Sequence, residues 1–244
     1  MIQGTLFEAA LDAAPAEVDD ETRKKFAVHR TPMGIVRQVV GKVAPLVEQR
    51  HSPVRRILIP SAGDGRWGLV CRERWPDAHV TAVEPRPEEA EGLRRFCDAV
   101  LTMTIEQAQA SDVLASYDLV IDNPPFSLPL TPGAVPDQAT AMAAFLPLRH
   151  RLRHPWSRLV LYWLTELGQR SQRAVDLFEE HLPIEQWRIP LPVSHDRTVD
   201  MRNYSVWHWS PAADRPVAEW RTSVLPVLDK VGRRSTSTDM DKDV

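Results

Sequence analysis

Residues 56–68 read RILIPSAGDGRWG, a short apolar run followed by a turn that is rich in glycine. The first part has the composition of a buried strand, and a helical pattern begins at Trp67. Gly63, Gly65 and Gly68 match the spacing G-x-G-x-x-G between a strand and a helix. Glycines at these positions let the backbone turn tightly and approach a ligand closely, so the stretch predicts a nucleoside-binding turn in an α/β protein.

Strands and helices alternate along the chain around this turn. The apolar periodicity predicts helices over 32–49, 67–75, 87–96 and 169–181, and strands over 56–60, 78–84, 99–104, 117–122, 158–164, 186–193 and 204–209. Such alternation is typical of right-handed βαβ units, which build a mostly parallel sheet covered by helices on both faces. Because no helix separates the last two strands, we expect them to form a terminal antiparallel pair.

The chain has 244 residues, 43% of them apolar, and a net charge of −3, which suits one large α/β domain. We expect an acidic N-terminal extension over 1–22, a main domain over 23–215, and a C-terminal extension over 216–244 that ends in a disordered tail. No apolar run approaches the roughly 20 residues of a membrane span, so we expect a cytoplasmic protein without membrane contact. The cysteines, Cys71 and Cys97, are too few for a disulfide framework or a zinc site, and we expect no metal.

Two further features lie where ligands bind in such a sheet, beyond the carboxyl ends of the strands. Glu84 ends the second predicted strand, and its carboxylate can accept hydrogen bonds from ribose hydroxyls. The sequence Asn123-Pro124-Pro125-Phe126 follows the fourth predicted strand. The glycine turn and Glu84 alone are compatible with NAD or with S-adenosylmethionine, so the four-residue motif decides between the two cofactors.

With these motifs, residues 31–126 resemble the amino-methyltransferases that modify N6 of adenine. The family pattern is a Thr-Pro segment, a Pro-Ser-Ala-Gly-x-Gly turn, an acidic residue after the second strand, and an Asn-Pro-Pro-aromatic motif. The resemblance implies S-adenosylmethionine as the cofactor and a Rossmann-like class I methyltransferase fold, with a seven-stranded sheet in the order 3-2-1-4-5-7-6. The cofactor-binding residues that it implies are Thr31, Pro32, Pro60, Ser61, Ala62, Gly63, Gly65, Glu84 and Asn123.

The chemistry of an adenine amino group explains the Asn-Pro-Pro-aromatic motif. The nitrogen is a poor nucleophile because its lone pair is delocalised into the ring. The side-chain oxygen of Asn123 and the carbonyl of Pro124 can accept its N–H hydrogen bonds, and Pro125 helps to fix the backbone that presents them. Phe126 can stack on a base that is flipped out or single-stranded. We therefore assign these four residues as catalytic.

Two positions depart from the family pattern. The acidic residue that usually precedes the Pro-Ser-Ala-Gly turn is replaced by Ile59. After the third strand, Thr104 stands where an aspartate commonly contacts the cofactor adenine, with Glu106 or Asp112 as candidate substitutes. Both departures affect the expected cofactor affinity.

The long loop predicted over 127–157, directly after the motif, is in position to cover a substrate. A basic run over 149–158 begins in this loop, and it either contacts phosphates or forms a solvated helix face. A second basic stretch, over 195–203, precedes the last strand and is also expected near the site. The substrate-binding candidates are Arg149, Arg151, Arg153, Arg197 and Arg202, with Arg158 at the end of the first run.

These features favour methyl transfer to adenine N6 in nucleic acid, with DNA preferred to RNA because the Thr-Pro segment resembles DNA-modifying members. About 35 residues follow Trp209, too few for a target-recognition domain, so a protein partner for target recognition is an expectation. Three alternatives stay open: a protein glutamine N5-methyltransferase, a non-catalytic subunit that keeps the fold, and an NAD-dependent oxidoreductase. Phe126 argues against the first alternative because that family favours tyrosine at this position.

Overall fold

The structure is a computed structural model that describes residues 30–48, 53–125, 128–129, 136–165, 171–189, 193–195, 198–200, 204–211 and 221–224. The predicted N-terminal extension and the predicted disordered tail lie outside these residues. Within them, secondary structure follows the alternation of strands and helices that the sequence predicts.

The strands supply one large sheet and two short hairpins. They are β1 (Arg56–Ile59), β2 (His79–Val83), β3 (Ala99–Leu101), β4 (Leu119–Asp122), β5 (Leu128–Pro129), β6 (Pro136–Asp137), β7 (Arg158–Leu164), β8 (Glu185–Arg188), β9 (Val193–His195), β10 (Thr198–Asp200), β11 (Tyr204–Trp209) and β12 (Arg221–Val224). The large sheet has the order β12-β8-β11-β7-β4-β1-β2-β3, while β5 pairs with β6 and β9 with β10.

The sheet confirms the predicted topology. Strands β3, β2, β1, β4 and β7 run parallel, and β11 lies antiparallel between β7 and β8. Because β7, β8 and β11 are the fifth, sixth and seventh strands of this sheet along the chain, the order is the expected 3-2-1-4-5-7-6. An eighth strand, β12, pairs in parallel with β8 and is the outermost strand on that side of the sheet.

Helices cover both faces of the sheet. They are α1 (Met33–Val47), α2 (Arg66–Arg74), α3 (Pro87–Leu93), α4 (Ile105–Ala110), α5 (Gln138–Phe145) and α6 (Gln172–Glu180), with a 3-10 helix over Leu146–Arg151. Lys42 of α1 lies 4.4 Å from the ring centre of Trp187, which pairs with Val206. Phe178 of α6 contacts Trp207 edge to face. Adjacent residues of a strand point to opposite faces, so Val206 and its partner Trp187 lie on one face and Trp207 on the other. Helices α1 and α6 therefore pack on opposite faces of the sheet.

Three sequence predictions need correction. The predicted loop over 127–157 contains α5, whose sequence QATAMAAF is apolar around most of its circumference and so lacks the periodicity of an amphipathic helix. The strand predicted over 99–104 ends at Leu101, because Thr104 caps α4 instead of continuing the strand. The strand predicted over 186–193 is two strands, β8 and β9, and the prolines in the intervening sequence lack the N–H donors of a strand ladder.

We expect Gly65→Ala to destabilise the fold. Gly65 has φ +89°, and a Cβ there would lie 2.3 Å from ring atoms of Phe96 and 2.8 Å from Leu93 Cδ2. The strained backbone and the overlap together should cost about 2–4 kcal/mol in the free energy of unfolding, measured by chemical denaturation. Gly41→Ala in α1 is the control, because a Cβ there meets no atom of the described residues within 4 Å and should stabilise by about 0.5–1 kcal/mol. Equal effects of the two substitutions would contradict the assigned role of Gly65.

Candidate functional site

Two sequence motifs meet where the parallel strands β1 and β4 end. Leu58 lies opposite Val120 in these neighbouring strands. The turn over 60–65 leaves β1, and the Asn123-Pro124-Pro125 segment leaves β4, at the same edge of the sheet. We call this edge, at the carboxyl ends of the parallel strands, the site edge, and the other end the opposite edge.

A buried carboxyl group joins the two motifs. Asp122, the last residue of β4, is fully buried. The Ser61 hydroxyl of the turn donates to Asp122 Oδ2 at 2.5 Å, and the Asn123 backbone N–H donates to Asp122 Oδ1 at 2.8 Å. Our sequence reasoning missed Asp122, although an acidic residue at the end of an otherwise apolar strand is a recognisable signal.

Burial controls the ionisation of Asp122. Removal from water raises the pKa of its carboxyl to about 8, against the lowering effect of the hydrogen bonds from Ser61 and Asn123. The carboxylate of Glu84 raises the pKa further. The protonated form of Asp122 is therefore favoured at neutral pH, and its proton can be donated to Ser61 Oγ while the Ser61 hydroxyl turns to the Asn123 carbonyl at 3.4 Å.

The glycine turn is held against the end of β2. Gly63 and Gly65 have φ of +56° and +89°, a left-handed conformation that glycine adopts without the steric cost of a Cβ. The Gly63 N–H donates to Glu84 Oε2 at 2.8 Å, and the Ala62 N–H donates to the Val83 carbonyl. The predicted neighbours Gly63 and Glu84 are thus in direct contact.

Glu84 also forms a buried ion pair that the sequence did not reveal. Its Oε1 accepts hydrogen bonds from the backbone N–H of Arg86 at 3.0 Å and from Arg86 Nε at 2.7 Å. Both side chains are almost fully buried. A carboxylate offers about four acceptor positions, and Gly63 and Arg86 together use three of them. About one remains for a ligand hydroxyl, fewer than a ribose diol can engage.

The Thr31-Pro32 segment adjoins the same turn. Arg66 donates from one guanidinium nitrogen to the Thr31 carbonyl at 3.1 Å and from Nε to Asp64 at 2.9 Å. Arg30 lies 3.3 Å from the same Asp64 carboxylate. The Thr31 hydroxyl is buried, and no residue that the structure describes bonds to it. The segment is therefore in place to contribute to a ligand site at the turn.

The residues proposed after the third strand have structural partners. Thr104 accepts from the Gln107 N–H at 3.3 Å, and its own N–H donates to the Gln107 side chain at 2.9 Å, which forms a capping box at the start of α4. Asp112 lies at the far end of this helix and pairs with Arg151 at 2.7 Å. Glu106 is exposed. Thr104 and Asp112 therefore have partners within the fold, and a contact of any of the three residues with a cofactor stays a prediction.

The first basic run lies at the opposite edge, so its predicted position beside the pocket is wrong. The backbone of Arg151 and Arg153 bonds to Tyr117 just before β4, and Arg153 lies 3.6 Å from Asp118. Asp118 and Asn123 lie at the two ends of β4, and the extended chain between them covers about 16 Å. The basic run is therefore separated from the Asn-Pro-Pro segment by the length of the strand. The loop containing α5 crosses back over the sheet before this run, and Arg149 and Arg158 lie at that edge with it.

The second basic stretch has the expected topology, although its arginines and Phe126 lie outside the described residues. The β9–β10 hairpin connects the end of β8 to the start of β11. Tyr204 at the start of β11 pairs with Leu164 at the end of β7. The hairpin therefore leaves the sheet at the site edge. The predictions for Arg197, Arg202 and Phe126 stay predictions.

Gln138 is a second residue that sequence reasoning did not select. It begins α5, is 6% exposed, and both polar atoms of its amide lack a hydrogen-bond partner among the described residues. Phe145, at the other end of α5, contacts Trp163 near the end of β7. Asp137, just before Gln138, lies 3.8 Å from Arg173 at the start of α6, which follows the end of β7, so Gln138 lies toward the site edge.

Two classes of site are not found in the part of the chain that the structure describes. No helix there has the length and apolar character needed to cross a membrane. No three histidine, cysteine, aspartate or glutamate side chains there form a group able to hold a metal ion.

The fold matches solved methyltransferase structures. No protein-family model and no curated protein sequence matches the chain. A candidate RNA methyltransferase from Pyrococcus horikoshii is similar with a TM-score of 0.55 and 14% identity, over 86% of this chain and 98% of that one. An S-adenosylmethionine-dependent methyltransferase from Agrobacterium tumefaciens gives a TM-score of 0.50 and 15% identity, over 75% and 63% of the respective chains. The chain therefore has the Rossmann-like class I methyltransferase fold.

We expect Asp122→Asn to change how stability depends on pH. In the unfolded chain an aspartate ionises with an ordinary pKa of 3.8, whereas folded Asp122 keeps its proton to about pH 8. The unfolded state therefore binds fewer protons between these values, and the contribution of Asp122 to stability falls as pH rises through this window. The amide of the variant does not titrate, so chemical denaturation from pH 4 to 8 should show the variant gaining stability relative to wild type.

Asp98→Asn is the matched control for this experiment. The hydrogen bonds from Val80 N–H and Arg72 outweigh partial burial and lower the pKa of Asp98. Its contribution is present above the unfolded pKa and is lost only as pH falls through the lower folded pKa, so this variant should show no comparable trend between pH 5 and 8. Parallel pH profiles for wild type and Asp122→Asn would contradict the neutral state of Asp122.

Proposed function

We propose that this protein is an S-adenosylmethionine-dependent methyltransferase that modifies N6 of adenine in nucleic acid, with DNA preferred to RNA. The observation that carries the proposal is the contact between the Pro-Ser-Ala-Gly turn and the Asn-Pro-Pro segment through Asp122. A cofactor turn and an amine-accepting motif at one edge suit direct methyl transfer between two bound molecules.

The residues at the turn fit a nucleoside cofactor. Among the residues that the structure describes, a Cβ placed on Gly63 would meet only the Arg86 guanidinium, at 4.0 Å, so these residues leave room for a ligand beside the turn. The remaining acceptor position on Glu84 suits one ribose hydroxyl, and the Thr31 hydroxyl offers another polar contact. S-adenosylmethionine supplies an electrophilic methyl group when it is bound there.

Asn123 and Pro124 act on the substrate amine. The Asn123 side-chain oxygen and the Pro124 carbonyl accept the two N–H hydrogen bonds and direct the nitrogen lone pair toward the methyl group. Neither proline residue of the motif has an N–H that would compete for those acceptors. As the new N–C bond forms, the bond between the methyl carbon and sulfur breaks and its electron pair stays on sulfur. The nitrogen becomes positively charged and then loses its proton to water, so no strong base is needed.

Nucleic acid is the substrate class that we favour. The Thr31-Pro32 segment resembles DNA-modifying members, and the similar structure from Pyrococcus horikoshii is a candidate RNA methyltransferase. A protein partner would supply further target recognition.

We expect Asn123→Ala to abolish methyl transfer while the cofactor still binds. Loss of a preorganised polar group should lower kcat about a hundredfold or more. The assay uses methyl-labelled S-adenosylmethionine with single-stranded DNA, duplex DNA, RNA or a protein pool. Arg153→Ala is the control, because it removes a polar side chain at the opposite edge and should leave turnover unchanged. Normal turnover in Asn123→Ala would refute the mechanism, and labelling of protein alone would refute the substrate class.

We expect Glu84→Gln to weaken cofactor binding. The amide keeps an acceptor for the Gly63 N–H but loses the charge that pairs with Arg86 and that strengthens a bond to a ribose hydroxyl. In variant protein shown by circular dichroism to be folded, the Kd measured by calorimetry should rise roughly tenfold, about 1–2 kcal/mol. Glu89→Gln is the control, since Glu89 also contacts Arg86, at 3.3 Å, without touching the turn. A similar Kd for both variants would place the ribose elsewhere.

A further inference from the structure

Asp122 combines three properties that suit a proton-binding role. It is fully buried, it bonds to both the cofactor turn and the substrate motif, and it lies 2.5 Å from the Ser61 hydroxyl, which has a second acceptor in the Asn123 carbonyl at 3.4 Å. Burying a carboxyl group is costly unless its hydrogen bonds compensate for the loss of water. Protonated Asp122 can donate to Ser61 Oγ while the Ser61 hydroxyl turns to the Asn123 carbonyl, so the carboxyl group can hold a proton without losing these contacts.

Among the residues that the structure describes, Glu84 at the end of β2 is the charged side chain that raises the pKa of Asp122, and Arg86 pairs with Glu84. The other acid of the turn, Asp64, is paired with Arg30 and Arg66. Before a ligand binds, therefore, the environment of Asp122 favours the protonated form.

We propose that Asp122 is a charge-sensing positioning residue, which releases its proton when the positively charged cofactor binds and takes it up again after methyl transfer. This inference rests on the proposed cofactor. S-adenosylmethionine carries a sulfonium charge that S-adenosylhomocysteine lacks, and a positive charge near a buried carboxyl favours its ionised form. The released proton passes to the solvent, and the carboxylate then attracts the sulfonium.

The consequence is a preference for substrate over product. While the sulfonium is present, ionised Asp122 strengthens cofactor binding and tightens the bonds from Ser61 and from the Asn123 N–H, because hydrogen bonds to a charged acceptor are shorter and stronger. Once the methyl group has left, the sulfur is neutral and Asp122 becomes protonated again. Binding of the product is weakened by the same linkage.

Calorimetry tests the proton release directly. Binding of S-adenosylmethionine is measured at pH 7 in phosphate and in Tris, whose ionisation enthalpies differ, so that the number of protons released can be calculated. We expect wild type to release about half a proton or more per cofactor. S-adenosylhomocysteine should cause a smaller release, and it controls for the amino group that both ligands carry.

Two variants assign the proton to Asp122. Asp122→Asn should bind the cofactor with the extra release lost and with a smaller ratio of affinities between S-adenosylmethionine and S-adenosylhomocysteine. Ser61→Ala removes a bond that lowers the pKa of Asp122, so its proton release should shift to higher pH. Equal proton release in wild type and Asp122→Asn would overturn the inference.

The same experiment separates this inference from the proposed function. If wild type binds no S-adenosylmethionine, both the cofactor assignment and the inference fail. If it binds the cofactor with the expected proton release but methylates no adenine, the inference stands and only the target is wrong. Retention of turnover in Asp122→Asn with an unchanged preference for substrate over product would also overturn the inference.

Discussion

The hydrogen bond between Ser61 and the buried Asp122 is the contact on which the candidate site depends. It connects the turn after β1 to the motif after β4, two segments about sixty residues apart in the sequence. Parallel strands bring the two segments to one edge, but strand pairing alone leaves the loops free to diverge beyond the last paired residues. A short, partly buried bond at that point fixes their relative position, and methyl transfer is sensitive to displacements of this kind.

A second buried interaction stabilises the turn from the other side. Glu84 holds the Gly63 N–H and pairs with Arg86, so both ends of the ion pair are removed from water. Removing one partner of such a pair typically costs about 3–5 kcal/mol, because the remaining charge is left without compensation. The turn is therefore rigid before any ligand binds, at the cost of most of the hydrogen-bonding capacity that Glu84 would otherwise offer to a ribose.

The charged residues at the opposite edge explain how a basic run can be structural. Asp118 accepts the backbone N–H groups of Arg55 and Arg56 at 2.8 and 2.9 Å, and Arg153 approaches the same carboxylate. Arg151 pairs with Asp112. These contacts join the start of β1, the start of β4 and the chain leading into β7. Basic residues that look like a phosphate path in the sequence thus stabilise the end of the sheet remote from the site.

The sequence by itself determined the strand–helix alternation, the glycine turn and the motif after β4, because these depend on local periodicity and on backbone requirements such as the positive φ of Gly65. It also determined that turn and motif share an edge, since parallel strands leave no other arrangement. Only the tertiary structure decided which carboxylates remain available. The pairing of Glu84 with Arg86, the bond of Asp122 to Ser61 and the placement of the basic run depend on contacts between distant segments. No local pattern encodes such contacts, because burial and partner choice arise only when the sheet is assembled.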